Sequence, residues 1–230
     1  MNVNMNLDFS KFFASVQSKG LAIALGFNLL VVASPASAHH PMSGQIPSNF
    51  FEGFLSGLAH PVIGFDHLAF VVAIGLVAAL KPQGWLMPIA FVLSAMLGTG
   101  MHLLGVSLPV VELIVSASIL LFGILLAIKH SPNILVMIAL SAVAGLFHGY
   151  AYGEAIFGAQ TTALVAYLCG FTLIQLVISG AAYFVGQKVL KGDFANLSPN
   201  LRSAGLVICG VGAAFLASNI SSLILPAPKV

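Results

Sequence analysis

Long apolar blocks alternate with short interruptions rich in Pro, Gly, Asn and Lys along this chain. Beyond a first block near the N-terminus, apolar segments run over 61–80, 85–104, 108–128, 134–150, 161–184 and 203–225. Most are about 20 residues, the length that crosses a hydrocarbon core of about 30 Å at about 1.5 Å per residue. Breakers mark the connections: Lys81-Pro82-Gln83-Gly84, the segment 105–107, Ser131-Pro132-Asn133, and 186–200. The pattern predicts an all-α integral membrane bundle of six transmembrane helices and leaves no room for a separate soluble domain.

Composition sharpens this. Hydrophobic residues make up 59% of the chain and charged residues 6%, against roughly 25% charged in soluble domains, so lipid is the main solvent. A formal net charge of +2 with no long basic run excludes nucleic acid as a partner. Cys169 and Cys209 lie in separate apolar segments without CxxC spacing, so they read as packing residues and not as a disulfide or zinc framework.

The N-terminal block has the three parts of a secretory signal. Lys11 and Lys19 precede the apolar run 20–32, and Ala36-Ser37-Ala38 supplies small residues at the cleavage position. Residues 1–38 are therefore expected to leave as a signal peptide, and 39–230 to form the permease domain. The mature chain then begins His39-His40-Pro41, where a free α-amine beside two imidazoles suits a late divalent metal.

Lys81, Lys129, Lys188, Lys191 and Arg202 fall in or beside the loops after the first, third and fifth spans, and the alternate loops hold no Lys or Arg. The positive-inside rule puts those loops in the cytoplasm. Both mature termini are then extracytoplasmic, in a bacterial membrane expected to be the inner one, with Lys229 the single cation at the tail on the other side.

That orientation places the ionisable residues. His60, Asp66 and His67 stand at the outer start of the first span, His102 at the outer end of the second, Glu112 at the start of the third, His148 at the end of the fourth, and Glu154 in the loop beyond. Charged or imidazole side chains within spans are expensive to insert, about 2.5–3.5 kcal/mol for a central Asp, Lys or Arg, so each asks for a partner or a task. Their gathering at one level points to a divalent-metal site of mixed N and O ligands, with no thiolate to favour copper(I). His60 and His67 are seven residues apart and would be about 10 Å apart on one straight helix. A break at Pro61 is predicted to fold His60 back toward Asp66 and His67. The stretch 50–59 would then be a short re-entrant or interfacial helix, with Glu52 on its polar side.

Two motifs resemble the HupE/UreJ family of nickel and cobalt permeases. The family's His-x5-Asp-His stands here as His60-Pro61-Val62-Ile63-Gly64-Phe65-Asp66-His67, and its Phe-His-Gly motif ending in Glu as Phe147-His148-Gly149-Tyr150-Ala151-Tyr152-Gly153-Glu154. The likeness extends to the signal peptide, the His40-Pro41 start and the six-span body. It implies a secondary permease that takes nickel or cobalt as substrate, with His60, Asp66, His67 and His148 as ligands and Glu154 carried over from the second motif. His102 and Glu112 rest on position alone. No prosthetic group is expected, and no nucleotide-binding signature is present. An intramembrane metalloenzyme lacks its His-Glu-x-x-His, and a non-transporting assembly subunit is the other alternative; oligomer formation is left open.

Overall fold

The computed structural model describes residues 46–128, 132–190 and 198–225. The signal segment, His39, His40 and several of the loop lysines lie outside them. Seven helices and no strand occur among the described residues: α1 (Phe50–Ile63), α2 (Phe65–Ala78), α3 (Leu86–Leu103), α4 (Val111–Ala127), α5 (Ile134–Glu154), α6 (Thr161–Leu190) and α7 (Pro199–Ile224).

By length and apolar composition α3, α5, α6 and α7 can each cross a membrane, and α1 with α2 qualifies only as one span bent by 79°. The third expected span is the short one. It starts at Val111 and has 17 residues, because Pro109 lacks an N–H and Val110 takes a left-handed conformation at φ 52°, which ends any continuation toward 108. The fifth expected span is longer than its apolar run suggested: α6 has 30 residues. Gly186, taken as the start of a loop, is inside it. A Cβ there would press on that of Ala79 at 2.6 Å, so close packing against the end of α2 offsets glycine's weak helix propensity.

The break in the first span is at Gly64 and not at Pro61. Proline's fixed φ is itself helical, and only its missing N–H and ring disturb the turn before it. The helix runs two residues past it, until the Gly64 N–H closes the last turn on the His60 carbonyl at 3.1 Å and its ψ of 99° turns the backbone away. Consequently α1 includes both His60 and Pro61. Its start is capped by Asn49, whose side chain accepts from the Glu52 N–H, while the Glu52 carboxylate accepts from the Ser48 N–H and hydroxyl.

Small residues set the helix pairings. On α5, Gly145, Gly149 and Gly153 recur every four residues and meet Phe91, Ala95 and His102 of α3 in that order, so α3 and α5 run parallel at backbone contact. Thr99 ties the seam by donating its hydroxyl to the Gly149 carbonyl at 2.7 Å. Gly123 of α4 packs on Cys209 and Gly205 of α7, and Gly212 on Leu120, an antiparallel pair. Gly53 and Gly57 of α1 touch the Ala163 and Tyr167 carbonyls of α6, and Gly75 of α2 touches the Ser179 carbonyl further along the same helix. The broken span thus follows α6 from its first turns inward.

These pairings give the bundle two ends. One carries the starts of α4 and α6 and the ends of α3, α5 and α7; the other carries Lys81, Lys188 and Arg202. Between them a core of Phe70, Ile74, Val77, Met87, Phe91, Ile119, Phe122 and Leu126 is closed to solvent. The outer faces expose Leu93, Leu97, Leu135, Phe184 and Leu206, as a lipid-facing surface requires.

Candidate functional site

The one-residue break at Gly64 places the last turn of α1 against the first turn of α2. His60 and His67, which a straight helix would hold about 10 Å apart, have ring centroids 5.8 Å apart. His148 comes from α5, six residues before its end, and its Nδ1 lies 3.0 Å from Nδ1 of His67. Asp66 accepts the His67 N–H on Oδ1 at 2.8 Å, so the carboxylate sits at the electropositive start of α2. His60, Asp66, His67 and His148 are at most 3% exposed.

Hydrogen bonding around the rings orders their protons. Ser118 of α4 donates to the Val115 carbonyl at 2.6 Å, so its oxygen is left to accept from the His148 Nε2–H at 3.0 Å. Neutral His148 then has its lone pair on Nδ1, where it accepts from the His67 Nδ1–H. A second relay does the same for His60. Tyr167 of α6 donates to the Tyr152 carbonyl at 3.0 Å and accepts from the His60 Nδ1–H at 3.0 Å. With Nδ1 of His60 held by Tyr167, its Nε2 is the nitrogen turned away from that relay. Partners on the remote nitrogen of an imidazole commonly orient it for a metal.

Aromatic rings enclose the group. Tyr152 stands 4.5 Å from the His67 ring and 5.1 Å from that of His60. On the far side Phe70 packs 4.4 Å from His148 and meets Phe91 and Phe122 at 5.0 Å and 4.8 Å. All three phenylalanines belong to the buried core. Gly64 is needed for the fit, since a Cβ there would lie 2.8 Å from Cδ2 of His67.

The remaining expected residues are apart from this group. His102, in the last turn of α3, faces Tyr150 and Phe157 at 4.6 Å and 5.8 Å, and its Nδ1 is buried without a hydrogen-bond partner among the described residues. Glu154 ends α5 and is exposed. Glu112 is exposed in the first turn of α4, where its carbonyl accepts from Asn219 of α7 at 3.1 Å. Among the described residues no three His, Cys, Asp or Glu groups already form a metal-ligand set. The structure adds three residues that the sequence did not single out: Ser118, Tyr152 and Tyr167. A lone tyrosine in an apolar span was the available signal for Tyr167, because a buried phenol needs a polar partner.

The HupE / UreJ protein family description matches residues 27–215. The chain belongs to the HupE/UreJ family. Protein HupE of Rhizobium leguminosarum bv. viciae is 28% identical over 191 residues, which cover 82% of this chain and 94% of that protein. No solved structure matches the chain. Membership of HupE/UreJ confirms the resemblance seen in the two motifs, and with the long apolar helices it makes this a membrane protein. Both motifs and all seven helix starts fall inside the matched residues.

Proposed function

We propose that the chain is a secondary permease that takes up divalent nickel or cobalt from the extracytoplasmic side, capturing the ion at His60, Asp66, His67 and His148. The observation that carries this is the imidazole pair from two different helices, Nδ1 to Nδ1 at 3.0 Å. Two nitrogens bound to one ion at about 2.0–2.1 Å stand about 2.9–3.4 Å apart, from right-angled to tetrahedral geometry. A divalent ion can therefore bridge the two Nδ1 atoms with little change in separation, once His67 shifts its proton from Nδ1 to Nε2 and both rings turn their Nδ1 lone pairs toward a common point. His60 and the Asp66 carboxylate complete a nitrogen and oxygen set, which suits these metals.

The lysine-bearing end is cytoplasmic in this reading, which puts the histidines nearer the outside. His102 and Glu154 then lie at the outer ends of α3 and α5, and His39, His40 and Glu112 serve as outer collecting ligands. Inward movement gains about 2.3 kcal/mol per elementary charge per 100 mV of membrane potential, so no nucleotide is needed. The ion is substrate; no prosthetic group and no chemical reaction belong to this function. Radiolabelled nickel and cobalt uptake into proteoliposomes tests it. His67→Ala and His148→Ala are expected to lower uptake by more than the roughly 10–100-fold that loss of an outer-shell partner costs. Uptake equal to that of the unmodified protein in both variants overturns the assignment.

A further inference from the structure

Beyond the histidines, α6 carries a second group of polar atoms that the capture step does not use. Gln175 is fully buried, and its Nε2 donates to the Phe171 carbonyl at 2.9 Å. That bond fixes the amide's orientation, because a flipped amide would set oxygen against oxygen. Its Oε1 is consequently held away from its own helix, buried, with no hydrogen-bond partner among the described residues. Thr172, three residues earlier and on the same side, also has a buried Oγ1 without a partner. A threonine in a helix ordinarily returns its hydroxyl to the preceding turn, and this one does not.

Two orphaned oxygens on one helix face in an apolar bundle are costly, since each forgoes a bond it would have in water. Their place along α6 gives them a use. Tyr167, which touches His60, is eight residues before Gln175, about 12 Å along the helix axis. Ser179, the next polar residue inward, donates to the Gln175 carbonyl at 2.6 Å and is likewise buried. Phe70, Phe91 and Phe122 pack against one another on the His148 side, whereas α6 carries the polar residues Thr172, Gln175 and Ser179 in succession along its length.

We infer that Gln175 Oε1 and Thr172 Oγ1 form a second, inner site for the transported divalent cation, one that holds it by neutral oxygens after the imidazoles release it. This rests on the permease reading and adds a stage to it. Neutral oxygen donors hold nickel or cobalt more weakly than imidazole and carboxylate, and conduction needs sites weak enough to be left. A tight outer site followed by a weak inner one meets that need.

The test compares the full-length protein with Gln175→Leu, Thr172→Val, Gln175→Glu and His67→Ala, by 63Ni uptake into proteoliposomes and by equilibrium binding of nickel in detergent. Gln175→Leu is expected to lower the uptake rate about tenfold while outer-site binding is unchanged, and Thr172→Val to lower it in the same direction. Gln175→Glu is expected to bind a second equivalent of nickel and to transport slowly, an outcome that a purely structural glutamine does not produce. If Gln175→Leu does not fold, the glutamate and valine variants decide. Uptake at the unmodified rate in Gln175→Leu and Thr172→Val, or no second equivalent in Gln175→Glu, overturns the inner site. Where His67→Ala still abolishes uptake, that result leaves the capture site standing. An unmodified protein that carries no nickel overturns both.

Discussion

A neutral imidazole buried in a bundle has one proton to place, and here hydroxyls decide where. Ser118 and Tyr167 each spend their own hydrogen on a backbone carbonyl, so each can only accept from the ring beside it. Tyr167→Phe and Ser118→Ala therefore release His60 and His148 from their set tautomers without removing a ligand. Each is expected to weaken nickel binding about 10–100-fold, the usual cost of losing such a partner, with the helical content unchanged. Equilibrium dialysis with radiolabelled nickel, read beside circular dichroism, checks this. The histidines were legible in the sequence from their cost in lipid. The hydroxyls were not, because a serine or tyrosine in an apolar span is cheap and looks the same whichever way it points.

At the scale of the helix, the break in the first span and the glycine ladder of α5 do different work. The seven-residue spacing of His60 and His67 demands a break, and the residue that makes it is Gly64, since proline keeps a helical φ and glycine alone lets the two turns close on each other. Gly64→Ala sets a methyl 2.8 Å from the His67 ring. Loss of metal uptake with near-normal thermal stability is the expected result. At Gly149 a Cβ collides with the Ala95 carbonyl of α3. Gly149→Ala is expected to destabilise the bundle by about 1–3 kcal/mol, as overpacking does, seen as a lower melting temperature in detergent before any specific effect on uptake. Helix existence was readable from apolar length; helix ends were not. The left-handed Val110 shortens α4, and tight packing on α2 carries α6 through Gly186, and neither is a property of apolar runs.

For the whole molecule, Phe70, Phe91 and Phe122 form a buried cluster of rings in contact with His148, and in the permease reading such a cluster serves as a hydrophobic seal that blocks ions by excluding water. Phe70→Ala opens this seal, and a raised passive leak of nickel and protons in liposomes without an imposed potential is the expected outcome, measured with an internal metal-sensitive or pH-sensitive dye. Unchanged leak assigns the rings to packing alone. The three described cations, Lys81, Lys188 and Arg202, share the end remote from the imidazoles. The expected start of the mature chain at His39 lies outside the described residues. N-terminal sequencing of protein extracted from the membrane is expected to begin His39-His40-Pro41.

The sequence by itself determined that lipid is the solvent, that helices are the elements, and that His60, Asp66, His67 and His148 stand in two motifs of the family. Apolar length, the burial cost of charge and motif spacing are local properties of a chain, so they can be read along it. Only the tertiary structure decided that these four residues meet while Glu112 and Glu154 stay exposed and apart. It also decided that the first span breaks at Gly64, that Ser118 and Tyr167 hold the ring protons, and that Gln175 keeps a buried oxygen unpaired. Each of these depends on which helix faces which, a matter settled by close packing between residues far apart in the chain.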